Sequence, residues 1–210
     1  MTTTINASTS SGLIVTSDTS GTLALQSNGS TIASVGTSGM TINSYVAGTS
    51  MLTQGTAQAT TSGTSIDFTG IPSWVKRITV MFNGVSLSGT SSFLIQLGTS
   101  GTPTTSGYTS TSSYTTTPNA TGSAGGIYLT SGFAIQGGNA AYTLYGNTSI
   151  TNVSGNVWVS QGNFANILSV PLIVASSGGI TLGGVLNMVR ITTVNGTDTF
   201  DAGSINILYE

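Results

Sequence analysis

Cysteine and histidine are both absent from this chain of 210 residues. Their absence excludes disulfide bonds, thiolate nucleophiles, histidine-based catalytic triads and the usual zinc and iron–sulfur sites. Charge is scarce as well, since the chain has three cationic and five acidic side chains and a formal net charge of −2. So few cations cannot neutralise a useful run of phosphates, so nucleic-acid binding is not expected.

Strong helix formers are rare, because Lys and Glu occur once each whereas β-branched residues abound. Disordered chains pair low hydrophobicity with high net charge, yet this chain is 38% apolar and nearly neutral. Its apolar residues come in short runs separated by Gly, Ser and Asn, and none approaches the ~20 residues of a membrane-spanning helix. The sequence therefore predicts an all-β protein without a membrane partner.

Residues 1–46 contain a loose repeat in which glycines precede short alternating segments. Gly12, Gly21, Gly29 and Gly39 are 9, 8 and 10 residues apart. This spacing fits strands of about five residues with a glycine at each turn. Because each strand offers only two or three apolar side chains, this β-arm is expected to need partners, either copies of itself from neighbouring chains or a larger surface. A flexible Ser/Thr linker is the alternative.

Alternation of apolar and polar residues becomes stronger after residue 66. Ile78, Val80 and Phe82 fall on one face of a predicted strand, and the segment beginning at Phe93 alternates in the same way. About eight such strands separated by turn signals predict an antiparallel β-sandwich, jelly-roll-like, over residues 66–210. Residues 47–65 are expected to be a linker between the arm and this domain.

Residues 98–125 are rich in Thr, Ser, Gly and Pro and lack apolar periodicity, which predicts an unusually long loop. Tyr108 and Tyr114 lie in it. Exposed tyrosines in a loop can stack on a sugar, so these two are the candidate ligand contacts. The alternative is that they anchor the loop to the core.

The closest approach to a catalytic pair is Asp198 with Asp201. Residues three apart on a strand point to opposite faces, and calcium requires six or more oxygens, so both are interpreted as turn formers. Arg190 lies in an otherwise apolar strand, where it is either exposed to solvent or paired with Asp67, Asp198 or Asp201. No catalytic residue, metal or cofactor is expected.

Two segments, Gly70–Ser86 and Val189–Glu210, together resemble small structural proteins of tailed bacteriophages, namely head-decoration (cement) and fibre proteins. Thr22–Gly29 is similar to the Ser/Thr/Gly strand repeats near the attachment ends of such proteins. The resemblance implies a trimer in which residues 1–46 are the β-arm for attachment to the particle and for trimerisation, and in which the sandwich faces outward. It brings no catalytic residue with it.

The expected function is accordingly that of a non-enzymatic virion protein that binds the major capsid protein, or another virion protein, and stabilises the particle. The chain begins without a recognisable export signal, so synthesis in the host cytoplasm and assembly into the virion are expected. The alternative is a receptor-binding fibre tip whose 98–125 loop contacts a host surface glycan. Scarce charge also favours a closed homo-oligomer, since a monomer would have little colloidal repulsion.

Overall fold

A computed structural model describes residues 22–27, 29–36, 39–42, 52–116, 124–137, 139–168 and 171–210. These residues form strands and no helix, so the prediction of an all-β chain is confirmed for them. In chain order the strands are β1 (Leu23–Ser27), β2 (Ser30–Gly36), β3 (Gly39–Ile42), β4 (Thr53–Gln54), β5 (Gln58–Ala59), β6 (Ser65–Thr69), β7 (Arg77–Leu87), β8 (Phe93–Thr99), β9 (Thr102–Pro103), β10 (Thr109–Thr116), β11 (Ala124–Leu129), β12 (Phe133–Ile135), β13 (Thr143–Ser154), β14 (Val157–Ile167), β15 (Leu172–Thr181), β16 (Leu186–Thr193) and β17 (Phe200–Tyr209).

The chain divides into two compact units, with the boundary between Thr49 and Ser50. The described part of the first unit is an antiparallel sheet in the order β1-β2-β3. Gly29 stands in the β1–β2 turn with φ +76°, a backbone conformation that glycine adopts without steric cost. The short segment after Gly12, which the glycine spacing also predicts to be a strand, lies outside the described residues.

Two antiparallel sheets make up the described part of the second unit. The larger has nine strands and runs β11-β10-β15-β14-β13-β7-β17-β4, with β5 also paired to β17. The smaller has five strands and runs β12-β8-β16-β6, with β9 paired to β8. Both sheets contribute to one hydrophobic core, an arrangement consistent with a β-sandwich.

Alternating apolar residues form this core, as the sequence of β7 predicts. Ile78, Val80 and Phe82 are buried, and the Phe82 ring packs edge-on against Phe93 of the other sheet at 6.1 Å between centroids. On its own sheet the same ring meets Phe164 at 5.6 Å. Such edge-to-face contacts contribute beyond the area they bury. Phe82 thus joins the two sheets at the centre of the unit.

Two stretches expected to lack strands contain them. The predicted linker 47–65 includes β4 and β5, which pair with β17 and close one side of the larger sheet. The predicted long loop 98–125 includes β9 and β10, and β10 lies between β11 and β15. The loop interpretation is therefore corrected for these residues. Residues 117–123 lie outside the described part of the chain.

Candidate functional site

Tyr108 immediately precedes β10, and its side chain is only 2% exposed. The backbone N–H of Leu97 donates to its hydroxyl oxygen at 2.7 Å, and the ring packs edge-on against Phe133 with 5.1 Å between centroids. Burial raises the pKa of this hydroxyl, and the hydrogen bond with Leu97 only partly opposes the rise. A side chain in this position holds β8 to the core and offers no free face to a ligand.

Tyr114 belongs to β10 and is half-buried against the core. It pairs across the sheet with Gly125, where an added Cβ would lie 2.6 Å from the tyrosine ring. The glycine thus leaves the space that the ring occupies. Tyr108 and Tyr114 do not converge on one exposed surface, because Tyr108 is enclosed while Tyr114 covers the edge of the core.

A cleft of about 380 Å³ opens at one end of the sandwich. Hydroxyl and amide groups line one part of it and aliphatic side chains the other: Thr90, Ser91, Ser92 and Asn195, then Ile127, Leu129 and Val194. We call it the end cleft. A mixed lining of this kind suits a small neutral ligand with polar edges and apolar faces, such as a sugar.

Asp198 holds two of the residues that line the end cleft. Its carboxylate accepts hydrogen bonds from Asn195 Nδ2 at 2.7 Å and from the backbone N–H of Ser91 at 2.8 Å. These bonds, the Asn195 bond first, lower the pKa of the Asp198 carboxyl. Asn195 Oδ1 in turn accepts from the backbone N–H of Thr197 and of Asp198 at 3.1 Å each, so Asn195 forms the turn and Asp198 braces it.

Asp201 has a different partner, since it accepts a hydrogen bond from the Ser86 hydroxyl. The two carboxylates therefore serve separate local structures and do not face a common substrate. Within the described residues, no group of three or more acidic, histidine or cysteine side chains is placed to hold a metal ion.

The chain's cations are mostly paired. Arg190 forms a bidentate ion pair with Asp67 on the neighbouring strand, at 2.7 Å for each bond, and both side chains are about one-third exposed. The bonds to Asp67 raise the pKa of the Arg190 guanidinium. Arg77 pairs with Glu210. These contacts link β16 to β6 and the chain's last residue to β7, which is a structural use of charge.

The three-stranded sheet of the first unit presents apolar side chains to solvent. Leu23, Leu25 and Val35 are exposed, Leu25 to 48%, and Leu23 pairs directly with Val35. The register also sets Met40 opposite Val35. Full burial of each such side chain would contribute ~1.5–3 kcal/mol, which a partner surface can supply. This face, which we call the arm face, is the second candidate interaction site.

No family model, curated protein or solved structure matches this chain. Among the described residues there is also no helix that could cross a membrane. The functional candidates are therefore the end cleft and the arm face, and sequence reasoning pointed only to the second. The end cleft is assembled from the β7–β8 loop, the β16–β17 loop and β11, which are distant in sequence and carry no recognisable motif.

Proposed function

We propose that this chain is a non-enzymatic structural protein of a tailed-bacteriophage particle, which attaches to the capsid surface through its N-terminal strands and stabilises the particle. The arm face carries this proposal, because exposed leucines on a small sheet require a partner surface. The resemblance of residues 70–86 and 189–210 to phage decoration and fibre proteins supports the class of particle. In this proposal the second unit faces outward.

The proposal includes a jelly-roll fold for the second unit. Eight strands, in chain order β4, β6, β7, β8, β12, β13, β16 and β17, divide between the two sheets. Within this set, one sheet has the order first, eighth, third, sixth, and the other second, seventh, fourth, fifth. That order is the one a jelly roll of two Greek keys has, and it supports the assignment. The pairs β10–β11 and β14–β15 then extend one sheet.

A homotrimer is the second part of the proposal. Each fully buried Leu or Val contributes ~1.5–3 kcal/mol, whereas ordering each backbone residue costs ~1–2 kcal/mol. The described strands of the arm have few apolar side chains for the residues they order, so an isolated copy is weakly stabilised. Packing copies of the arm face against each other shares burial among three chains and covers sheet edges.

Deletion of residues 1–46 tests the attachment. We expect the truncated chain to remain folded and soluble but to be missing from purified particles, as measured by quantitative mass spectrometry of the virion. The double substitution Leu25→Ser with Val35→Ser should also reduce the number of copies on the particle. The control Gln26→Ser, on the same strand as Leu25, should not reduce it. Full occupancy of the truncated chain on particles would contradict the proposal.

A receptor-binding fibre tip that recognises a neutral host glycan is the second candidate. The end cleft favours it, because hydroxyl, amide and aliphatic groups lie together at one end of the sandwich. Copy number and location distinguish the two functions. Hundreds of copies over the capsid, seen by electron microscopy of labelled particles, indicate decoration, whereas a few dozen at the tail indicate a fibre.

A further inference from the structure

Charge is distributed very unevenly along the second unit. Between Arg77 and Arg190 the sequence contains no Asp, Glu, Lys or Arg. Five neighbouring strands of the larger sheet, β10, β11, β13, β14 and β15, lie entirely within this interval. By contrast, the outward side of the smaller sheet has the Asp67–Arg190 ion pair. Depletion of charge is typical of the centre of protein–protein interfaces.

The outward side of these five strands, which we call the uncharged face, exposes large apolar side chains at both of its ends. Ile173 is 56% exposed, and Tyr145 and Ile167 are exposed on the strands beyond it. At the other end Val159 is exposed, and on β11, beside Thr111, Tyr128 is 63% exposed. Single exposed apolar residues are common, but a set on one continuous face indicates a contact surface.

Between these apolar ends lies a depression of about 330 Å³. Exposed small or neutral polar residues of β10, β14 and β15 line most of it: Thr111, Ser113, Gln161, Asn163, Ala175 and Ser177. Pairing places Thr111, Ser177 and Gln161 in one row across three strands. Hydroxyls and amides can exchange hydrogen bonds across an interface without the desolvation cost of charges.

We propose that the uncharged face is a subunit interface, where copies of this chain meet around a common axis. The inference rests on the homo-oligomer in the proposed function and assigns its contact surface in the second unit. Five strands ~4.8 Å apart, which are six to twelve residues long, present a face of roughly 750 Å² at ~3.3 Å per residue. A standard interface buries about 800 Å² on each partner.

A second copy fits this face better than a charged partner does. An acidic or basic macromolecule would find no ion pair on it, whereas an identical face supplies matching hydroxyl, amide and apolar groups. In a ring of three the contact is heterologous, so one half of each face packs against the other half of its neighbour's face. The arrangement also removes from solvent a broad surface without charge, which improves the solubility of the assembly.

Single-cysteine variants of the full chain test the proposal, because the chain has no cysteine of its own. Ala175→Cys introduces a thiol at the floor of the depression, and Val185→Cys is the control at a 58% exposed position outside it. We expect the Ala175→Cys thiol to react with Ellman's reagent at least about tenfold more slowly, corresponding to ~1.4 kcal/mol of protection. Adding Ile173→Lys should restore fast reaction, whereas adding Val185→Lys should not.

The mass of each variant, from light scattering, separates the possible failures. An oligomer whose Ala175→Cys thiol reacts as fast as the control overturns this interface and leaves attachment and oligomerisation through the arm intact. A monomeric chain overturns both the interface and the proposed trimer. If the chain is a monomer and its Ala175→Cys thiol is protected only when maltohexaose is added, the interface is overturned and the depression is a saccharide groove.

Discussion

Asp198 shows how a single charged residue is used in a chain with very few of them. Its carboxylate fixes Asn195 and the backbone of Ser91, so that the β7–β8 and β16–β17 connections keep a defined separation at the end cleft. Gly89 lies directly against this carboxylate, and a side chain at that position would collide with it. The local structure thus combines one acceptor, two donors and a residue without a side chain.

The first prediction is that Asp198→Asn lowers thermal stability in a pH-dependent way. The folded-state pKa of Asp198 is below its usual 3.8, so the carboxylate stabilises the fold above that value. This contribution disappears as the pH falls through the lowered folded-state pKa. Melting curves should therefore show the full difference between wild type and variant at neutral pH and a shrinking one in acid.

Thr197→Ala is the control for this measurement, since the Thr197 side chain makes no hydrogen bond within the described residues. A difference in melting temperature between wild type and Asp198→Asn that stays constant down to strongly acidic pH would contradict the stabilising role of the Asp198 carboxylate. The end cleft should also tolerate Asp201→Asn, because Asp201 bonds to Ser86 elsewhere.

Gly203 supplies a second prediction. It has φ +91°, and an added Cβ would lie 2.7 Å from the carbonyl oxygen of Asn83. Gly203→Ala should cost about 1–2 kcal/mol for the left-handed backbone, and a further ~1–3 kcal/mol for the collision. Gly196 also has positive φ, +68°, but open space around it, so Gly196→Ala should cost only the first amount. Urea denaturation compares the two, and equal midpoints would contradict the argument.

At the level of single sites, the sequence identified residue types better than their surroundings. The sequence argument treated Asp198 and Asp201 as positions on one strand, whereas Asp198 lies in the β16–β17 connection and Asp201 in β17, and each carboxylate has its own partners. The exposure of Tyr108 could not be judged from its Thr/Ser-rich neighbours, since its partners Leu97 and Phe133 come from other strands. The end cleft has the same origin, in contacts between residues far apart in sequence.

Among the elements, β10 is stabilised by serines facing inward. Ser110 and Ser112 are buried, and their hydroxyl oxygens accept hydrogen bonds from the backbone N–H of Ala134 and Gln136, at 2.9 and 3.0 Å. These two donors belong to the edge of the smaller sheet at β12. The serines therefore satisfy an unpaired strand edge from the opposite sheet, which apolar residues could not do.

Replacing Ser112 by Ala is the third prediction. The hydroxyl also donates to the carbonyl oxygen of Ala175 at 3.1 Å, so its removal leaves the partly buried N–H of Gln136 without its acceptor. The expected loss is about 1–3 kcal/mol in the free energy of unfolding. Ser113 faces outward on the same strand, and Ser113→Ala should change stability by less than about 0.5 kcal/mol. Equal effects in urea titrations would refute the bridging role.

A strand could be predicted from the sequence where its buried positions are apolar, but not where they are serines, as in β10. Apolar alternation marks β7, β8 and β16, and all three are present. In β10 the buried positions are polar, so alternation of hydrophobicity gives no signal. The only indication of a strand is that β-branched threonines occupy outward positions of β10. A Thr-rich loop has a similar composition, so this indication does not distinguish a strand from a loop. The two-residue strands β4 and β5 are too short for any periodic pattern.

In the whole molecule, β17 is the strand on which the two ends of the second unit meet. It pairs with β7 on one side and with β4 and β5 on the other. Thr60 is fully buried, and its hydroxyl donates to the carbonyl oxygen of Ala202 at 2.6 Å. Gly55 N–H donates to the carbonyl oxygen of Ile207 at 2.8 Å. Residues that precede Ile66 therefore belong to the folded unit and cover an edge of its larger sheet.

The fourth prediction compares two truncated chains, one beginning at Ser50 and one at Ile66. The first keeps every described contact of the second unit and should melt cooperatively at nearly the temperature of this unit in the full chain. The second loses β4, β5 and the hydrogen bonds of Thr60. At ~0.5–1.5 kcal/mol for each lost bond, it should be destabilised by several kcal/mol. Its uncovered β17 should also promote association between sheet edges. Circular dichroism melts and light scattering measure both effects. If the chain beginning at Ile66 melted at the same temperature and stayed free of aggregates, the covering of β17 would contribute nothing to the fold, and residues 50–65 would serve only to connect.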